Sequence, residues 1–429
     1  MNLSFLACTL VALVWLEAAD AEPIKPRPSP LPTNALSTVL HANSHFIAQR
    51  QGRYFFVDLK QAHRVFSTSS VNGGQADDVT TLVNFQSMEA TGHDDRFTEI
   101  LSLSDVAYHQ QVASQLQRAP ETMTLMGTAA NINHTVHVQQ QFRDITVDAF
   151  VTAGVKGNAL RAGDTANWYQ GKTGNERINA DLTIRSTDNP EAENHHNHHG
   201  TINIMVFVNR ALSAGAQAKA IAILTEAKSA ALTELAISST RSQHLATGTG
   251  TDQYSIATPL DATLPALSSA SGHLKLGELL GTAVREAVLQ ALHLQNGLAA
   301  SATRNIHHAL TRFGFKQDVF MSQLASALSA KSLQLLQKNK QSLLTEPKLV
   351  AAAYAYAAVL DRLEYGSLSQ HIAIDILLDQ AVNASLAVSG HSAQWPHFRR
   401  QLQQYRKKGI EPVAFFTQAI AIGWEDKWR

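Results

Sequence analysis

The spacing of apolar residues along this chain changes near Asn209. Before that point apolar positions alternate or come in short blocks, the pattern of β-strands. Residues 53–59 and 63–67 read as a strand pair joined by a short turn, and 135–155 as one or two strands. Residues 178–185 and 202–208 read as two more. The last of these is apolar on both faces, which predicts a central position in a sheet. After Asn209, Ala220, Ile223, Leu224, Ala227, Ala231 and Leu235 recur at helical spacing. Residues 253–257 read as a further strand, and Leu276, Leu279, Leu280, Val284, Ala287, Val288 and Ala291 form a helical stripe. From about residue 299 only helix patterns remain, most clearly at 320–337, 348–364 and 371–388. The expected fold class is α+β (mixed α/β), a sheet-containing N-terminal domain followed by an all-helical C-terminal region.

The ends of the chain refine this picture. Residues 3–16 are apolar except for Ser4 and Thr9, too short a run to span a bilayer comfortably. Ala19-Asp20-Ala21 has the small-x-small form of a signal-peptidase site. Residues 1–21 are therefore expected to be a signal peptide, and the mature protein exported, periplasmic or secreted. Cys8, the single cysteine, leaves with it, which excludes a disulfide, a thiolate nucleophile and a thiolate metal ligand. Residues 22–44, with five prolines by position 32, read as an extended linker. The two domains are then expected at 45–298 and 299–429. Losing Glu17 and Asp20 leaves 33 acids against 35 Lys and Arg, so no strong field draws nucleic acid or an anionic membrane. No later run of consecutive apolar residues predicts a transmembrane helix.

Polar motifs cluster in the first domain. Thr247-Gly248-Thr249-Gly250-Thr251-Asp252 alternates hydroxyls with glycines that allow close backbone approach. It reads as an anion- or amide-binding loop with Asp252 as base or metal ligand, or as a Gly-rich turn with capping hydroxyls. Thr225-Glu226-Ala227-Lys228 sits on the first helix. Lys228 is either an oxyanion donor or a side chain covering apolar surface with its stem. Glu226 is a general base or a solvated helix charge. His273 and Glu278 flank the start of the second helix on opposite sides. The tract His195-His196-Asn197-His198-His199 is metal-binding in composition but loop-like in setting. No G-x-S-x-G elbow, H-E-x-x-H or P-loop occurs.

Taken together, these motifs resemble the adenosylcobinamide amidohydrolases. The matching pieces are Ser69-Ser70 with Asn72-Gly73-Gly74, Leu125-Met126-Gly127-Thr128-Ala129-Ala130, Thr152-Ala153-Gly154-Val155, Asn158 with Gly163-Asp164, and Gly200-Thr201-Ile202-Asn203-Ile204. The 225–228, 247–252 and 273–281 motifs continue the series over roughly residues 45–295. The resemblance implies corrinoid salvage: hydrolysis of the amide joining aminopropanol to the corrin propionate, giving (adenosyl)cobyric acid. The corrinoid cobalt is then part of the substrate.

Residue chemistry suggests roles within that reaction. Asp252 or Glu226 would be the base. Lys228 with Thr247, Gly248, Thr249, Gly250 and Thr251 would stabilise the oxyanion, and His273 would protonate the leaving amine. Asn158, Asn203 and Asp164 would hold corrin amides, with Asn72 and Glu278 also lining the substrate site. A metal-assisted variant would place a divalent cation on His273, Asp252 and Glu226. One rival is a non-catalytic periplasmic corrinoid-binding protein serving an uptake system. Another is a metal-handling protein built on the His195-to-His199 tract.

Overall fold

The structure, a computed structural model, describes residues 36–87, 103–172, 174–178, 200–260, 263–406 and 411–427. The expected signal peptide, most of the Pro-rich stretch, nearly all of the 178–185 strand and the His195-to-His199 tract lie outside the described residues. Contact density separates two compact units, Met1–Arg241 with Leu245–Ala299 and Ser242–His244 with Ala300–Arg429.

The first unit holds fifteen strands among the described residues. In order they are β1 (Thr38–Ala42), β2 (Phe46–Gln51), β3 (Tyr54–Leu59), β4 (His63–Ser67), β5 (Gly74–Ala76), β6 (Thr81–Gln86), β7 (Met123–Thr128), β8 (Val136–Phe142) and β9 (Ile145–Ala153). Then follow β10 (Ala159–Leu160), β11 (Trp168–Gly171), β12 (Gly174–Arg177), β13 (Ile202–Val208), β14 (Gly248–Thr249) and β15 (Gln253–Pro259). One sheet runs β1-β2-β3-β6-β7 and a second β5-β4-β15-β13-β9-β8. Three helices cover them: α1 (Asp105–Leu116), α2 (Ala214–Glu234) and α3 (Lys275–Asn296).

Successive side chains on a strand face opposite ways, so a doubly covered strand serves two cores. On β13, Ile202, Ile204, Val206 and Val208 pack under α2 and α3. The intervening Met205 and Phe207 meet Phe55, Val57, Leu82 and Met126 of the other sheet. The outer face of that five-stranded sheet, including Tyr54, Phe56, Val83, Phe85 and Leu125, is closed by Tyr108 and Val112 of α1. The result is four layers, helices on sheet on sheet on helix. As expected, β13 is central, parallel to β15 and antiparallel to β9.

Three features depart from the sequence reading. Residues 53–59 and 63–67 do not pair: β3 bonds β2 and β6, whereas β4 crosses to the other sheet and bonds β15. Both segments are apolar enough to be covered, and the short connection between them carries the chain from one layer to the next. Thr38–Ala42, placed in the linker, is instead an edge strand bonded to β2. Strands β6 and β7 and helix α1, not assigned from the pattern, complete the five-stranded layer.

The α-helices described in the second unit are α4 (Ala300–Thr303), α5 (Ile306–Leu310), α6 (Gln317–Ala327), α7 (Ala330–Leu344), α8 (Pro347–Glu364), α9 (Gln370–Ser389), α10 (Trp395–Arg406) and α11 (Pro412–Lys427), with no strand among its described residues. The single helix expected at 320–337 is two. Ser329 turns extended at ψ 154 and accepts a hydrogen bond from Ser332 N, which starts a new helix. Helix α9 is long and apolar enough to cross a membrane, yet half of its apolar window is buried, with Leu378 and Val382 in the unit's own core.

Two buried histidines of the first unit favour their neutral form. His63 and His109 are each 1% exposed. Burial lowers both pKa values below the ordinary histidine value, only partly opposed by the carbonyls of Gln61 and Pro120. Their neutral rings therefore contribute stability that is complete above about pH 6.5 and is lost as pH falls below it toward the folded values. Melting temperature should fall between about pH 7.5 and 5, and His109→Gln should flatten that fall. An unchanged slope in the variant would remove His109 as a source.

Candidate active site

Helix α2 brings Lys228 onto Asp252, which stands immediately before β15. The two form an ion pair with side chains only 7% and 6% exposed. Burial works against the Lys228 ammonium, but Asp252 and Tyr254 outweigh it and raise the pKa above the ordinary lysine value. Lys228 is thus a firmly held cation, its Nζ 5.5 Å from the centre of the Tyr254 ring.

Asp252 carries more donors than Lys228 alone. Its Oδ1 accepts from Ile202 N at 3.1 Å and from Thr249 Oγ1 at 2.5 Å. Its Oδ2 accepts from Thr249 N at 3.0 Å as well as from Lys228. The carboxylate therefore ties together the start of β13, the Gly/Thr loop and α2. A Cβ on Gly248 would overlap both Asp252 Oδ2 and Lys228 Nζ, which is why the loop needs glycine there.

The same loop is laced to residues 158–164. Strands β10 and β14 pair, Thr247 N donates to Leu160 O, and Thr247 Oγ1 accepts from Ala162 N at 2.8 Å. Asn158 Nδ2 donates to Gly200 O at 2.7 Å and to Thr251 Oγ1 at 3.2 Å. Thr251 and Thr201 share a 2.6 Å hydroxyl contact. Asp164 accepts from Arg161 N and Ser239 Oγ. Gly250 is the exposed point of the loop. Thus Asp252, Lys228, residues 247–251, Asn158 and Asp164 form one connected assembly.

Other expected site residues do not join it. Glu226 is exposed, its nearest ion-pair partner Lys219 being 4.0 Å away. Two residues along a helix from Lys228, it faces another side. His273 is exposed and precedes α3. The opposite end of α3 touches the site side, where Asn296 Oδ1 accepts from Val155 N. That helix is 22 residues, so its ends are about 33 Å apart. Glu278, in its first turn, is exposed and paired with Lys275 at 2.7 Å. His273, Asp252 and Glu226 therefore do not assemble into a metal centre. Asn72 adopts φ 54 and donates to the Pro120 and Met123 carbonyls, holding a turn.

Asn203 occupies a second polar cluster on the other face of β13. Its Nδ2 donates to Asn84 Oδ1 and Gly127 O, both at 2.9 Å, while Asn84 Nδ2 donates to Thr152 Oγ1. Gln253 Oε1 accepts from Gly127 N. The Asn203 Oδ1 is buried with no partner. Thr152 lies in one of the motifs the sequence singled out, whereas Asn84 and Gln253 escaped that reading as site-region residues. The available signal was a polar residue inside an otherwise apolar strand, most plainly Asn84 in Thr81–Gln86.

A layered α+β unit that buries a cation beside a carboxylate and a donor-rich loop is suited to a polar ligand on which charge develops. A match to the adenosylcobinamide amidohydrolase (CbiZ) family spans residues 38–300, and the chain belongs to that hydrolase family. It is also similar to an uncharacterized protein of Methanocaldococcus jannaschii, 35% identical over 194 residues, covering 44% of this chain and 70% of that one.

The glycine requirement gives a direct test. Gly248→Ala should separate Lys228 from Asp252 and destabilise the fold by about 1–3 kcal/mol, the range for overpacking a filled site. Denaturant unfolding measures this, and wild-type stability would show that the loop yields without disturbing the pair.

Proposed function

We propose that this protein hydrolyses the amide between aminopropanol and the corrin propionate of cobinamide or adenosylcobinamide, releasing the corresponding cobyric acid. Membership of the amidohydrolase family supports the reaction class. The observation that carries the site is the buried Lys228–Asp252 pair inside the Gly/Thr loop. An amide carbonyl under attack develops negative charge on oxygen, and a preorganised cation lowers that barrier.

In this reading Lys228 stabilises the oxyanion. Asp252, whose two oxygens already accept from Lys228, Thr249 and Ile202, acts as a positioning residue that aims the ammonium. Asn158 and Thr251 hold the loop against Gly200. The leader-like first 21 residues support an exported enzyme working beside a corrinoid uptake system.

Mass spectrometry of the protein incubated separately with cobinamide and adenosylcobinamide should show 1-amino-2-propanol and the matching cobyric acid. Retention of intact corrinoid would instead favour the binding-protein reading, and neither turnover nor retention would contradict both. Lys228→Met should lower kcat by about 100-fold or more, in line with removing an oxyanion donor, with a smaller change in KM. Unchanged kcat would remove Lys228 from the chemistry.

A further inference from the structure

Three ligand-type side chains converge between the two sheets, well apart from Lys228 and Asp252. His41 comes from β1, and His137 and Asp148 from β8 and β9 of the other sheet. Asp148 pairs with Phe207, five residues along β13 from Ile202, or about 17 Å. Asp148 also points to the opposite face from Ile202. This cluster is thus no part of the Gly/Thr loop assembly.

His137 Nε2 lies 2.8 Å from Asp148 Oδ1, and His41 Nε2 lies 3.8 Å from the same oxygen. One ligand atom from each residue falls within 4.8 Å of the other two. Donors sharing a zinc-type ion at bonds of about 2.0–2.2 Å sit about 3.0–3.5 Å apart, so small side-chain shifts suffice. His41 Nε2 is buried and has no hydrogen-bond partner. An unsatisfied polar atom beside a 4%-exposed carboxylate is unfavourable as it stands and is satisfied by a cation.

The surroundings hold the set in place. The His137 ring stacks on Phe150 at 4.4 Å, and the His41 and His137 ring centres are 4.5 Å apart. Gln139 Nε2 donates to Asp148 Oδ1 at 2.9 Å, the kind of outer contact that orients a ligating carboxylate. Both imidazoles keep about a quarter of their side-chain surface exposed, 25% and 24%, which leaves an open side for a fourth ligand.

We propose that His41, His137 and Asp148 bind one divalent cation of the zinc class, through two imidazole nitrogens and one carboxylate oxygen. The ion ties the edge strand β1 of one sheet to β8 and β9 of the other. This inference stands apart from the amidohydrolase reading, and its test needs no corrinoid.

The probe is Zn²⁺ alone, titrated calorimetrically into metal-stripped protein whose His195, His196, His198 and His199 are changed to Ser. That background removes the competing histidine tract. The expected result is one Zn²⁺ per chain and a rise in melting temperature of several degrees. His41→Ala should abolish both, and Asp148→Asn should weaken binding at least tenfold. Absence of stoichiometric Zn²⁺ binding, or binding unchanged in His41→Ala and in His137→Ala, would overturn the proposal. Because His41 lies on an edge strand, its variant retains the core if His137→Ala does not fold. A parent that binds no zinc overturns the proposal whether or not either variant folds.

Discussion

Burying the Lys228–Asp252 pair constrains everything around it. Taking two such charges out of water costs several kcal/mol per ion unless their mutual attraction and further hydrogen bonds offset it. Ile202 N, Thr249 N and Thr249 Oγ1 supply those bonds to Asp252. To deliver them, the chain must bring the start of β13, the end of the Gly/Thr loop and the middle of α2 to one point. Gly248 follows from the same requirement, because any side chain there would occupy the space of the pair. Asn158 and Thr251 then fix the loop to the segment at Gly200. Local sequence and tertiary packing therefore meet in one charged contact.

The layered fold supplies two distinct environments from the same strands. On the helix side of β13, aliphatic residues pack under α2 and α3, with the ion pair at their edge. On the sheet side, the space between layers holds aromatic and methionine packing, the Asn84–Asn203–Thr152 hydrogen-bond cluster and the His41–His137–Asp148 group. Period-two alternation places these chemistries within a few residues of one another along β9 and β13 while keeping them on opposite faces. A one-residue slip of register would exchange them, so the polar strand residues also help to specify register.

Much of this arrangement was legible in the sequence. The 202–208 segment, apolar on both faces apart from Asn203, marked a central strand, and the helically spaced apolar stripes of α2 and α3 marked covering helices. The motif series pointed to the family and to residues 228 and 247–252 as one region. Less visible was the crossing of β3 and β4 into separate sheets, since a short turn between two strands serves a hairpin and a layer change equally well. Ser329 as a helix cap inside an apolar pattern was likewise obscured, because Leu324, Leu328 and Leu336 keep helical spacing across the break. Glu226 and His273 looked chemically suitable, but helix phase turns the first outward and the length of α3 carries the second away. The His41–His137–Asp148 group could not be read at all, because its members lie on three strands that only tertiary pairing unites.

The most direct measurement compares stability and turnover in Asp252→Asn and in the double variant Lys228→Met/Asp252→Asn. The single change leaves a buried ammonium without its counter-charge and is expected to cost about 3–5 kcal/mol of stability. The double change removes both charges and should recover most of that stability while corrinoid hydrolysis stays lost. A double variant that regains both stability and turnover would contradict the account, reducing the pair to a structural fastener remote from the chemistry.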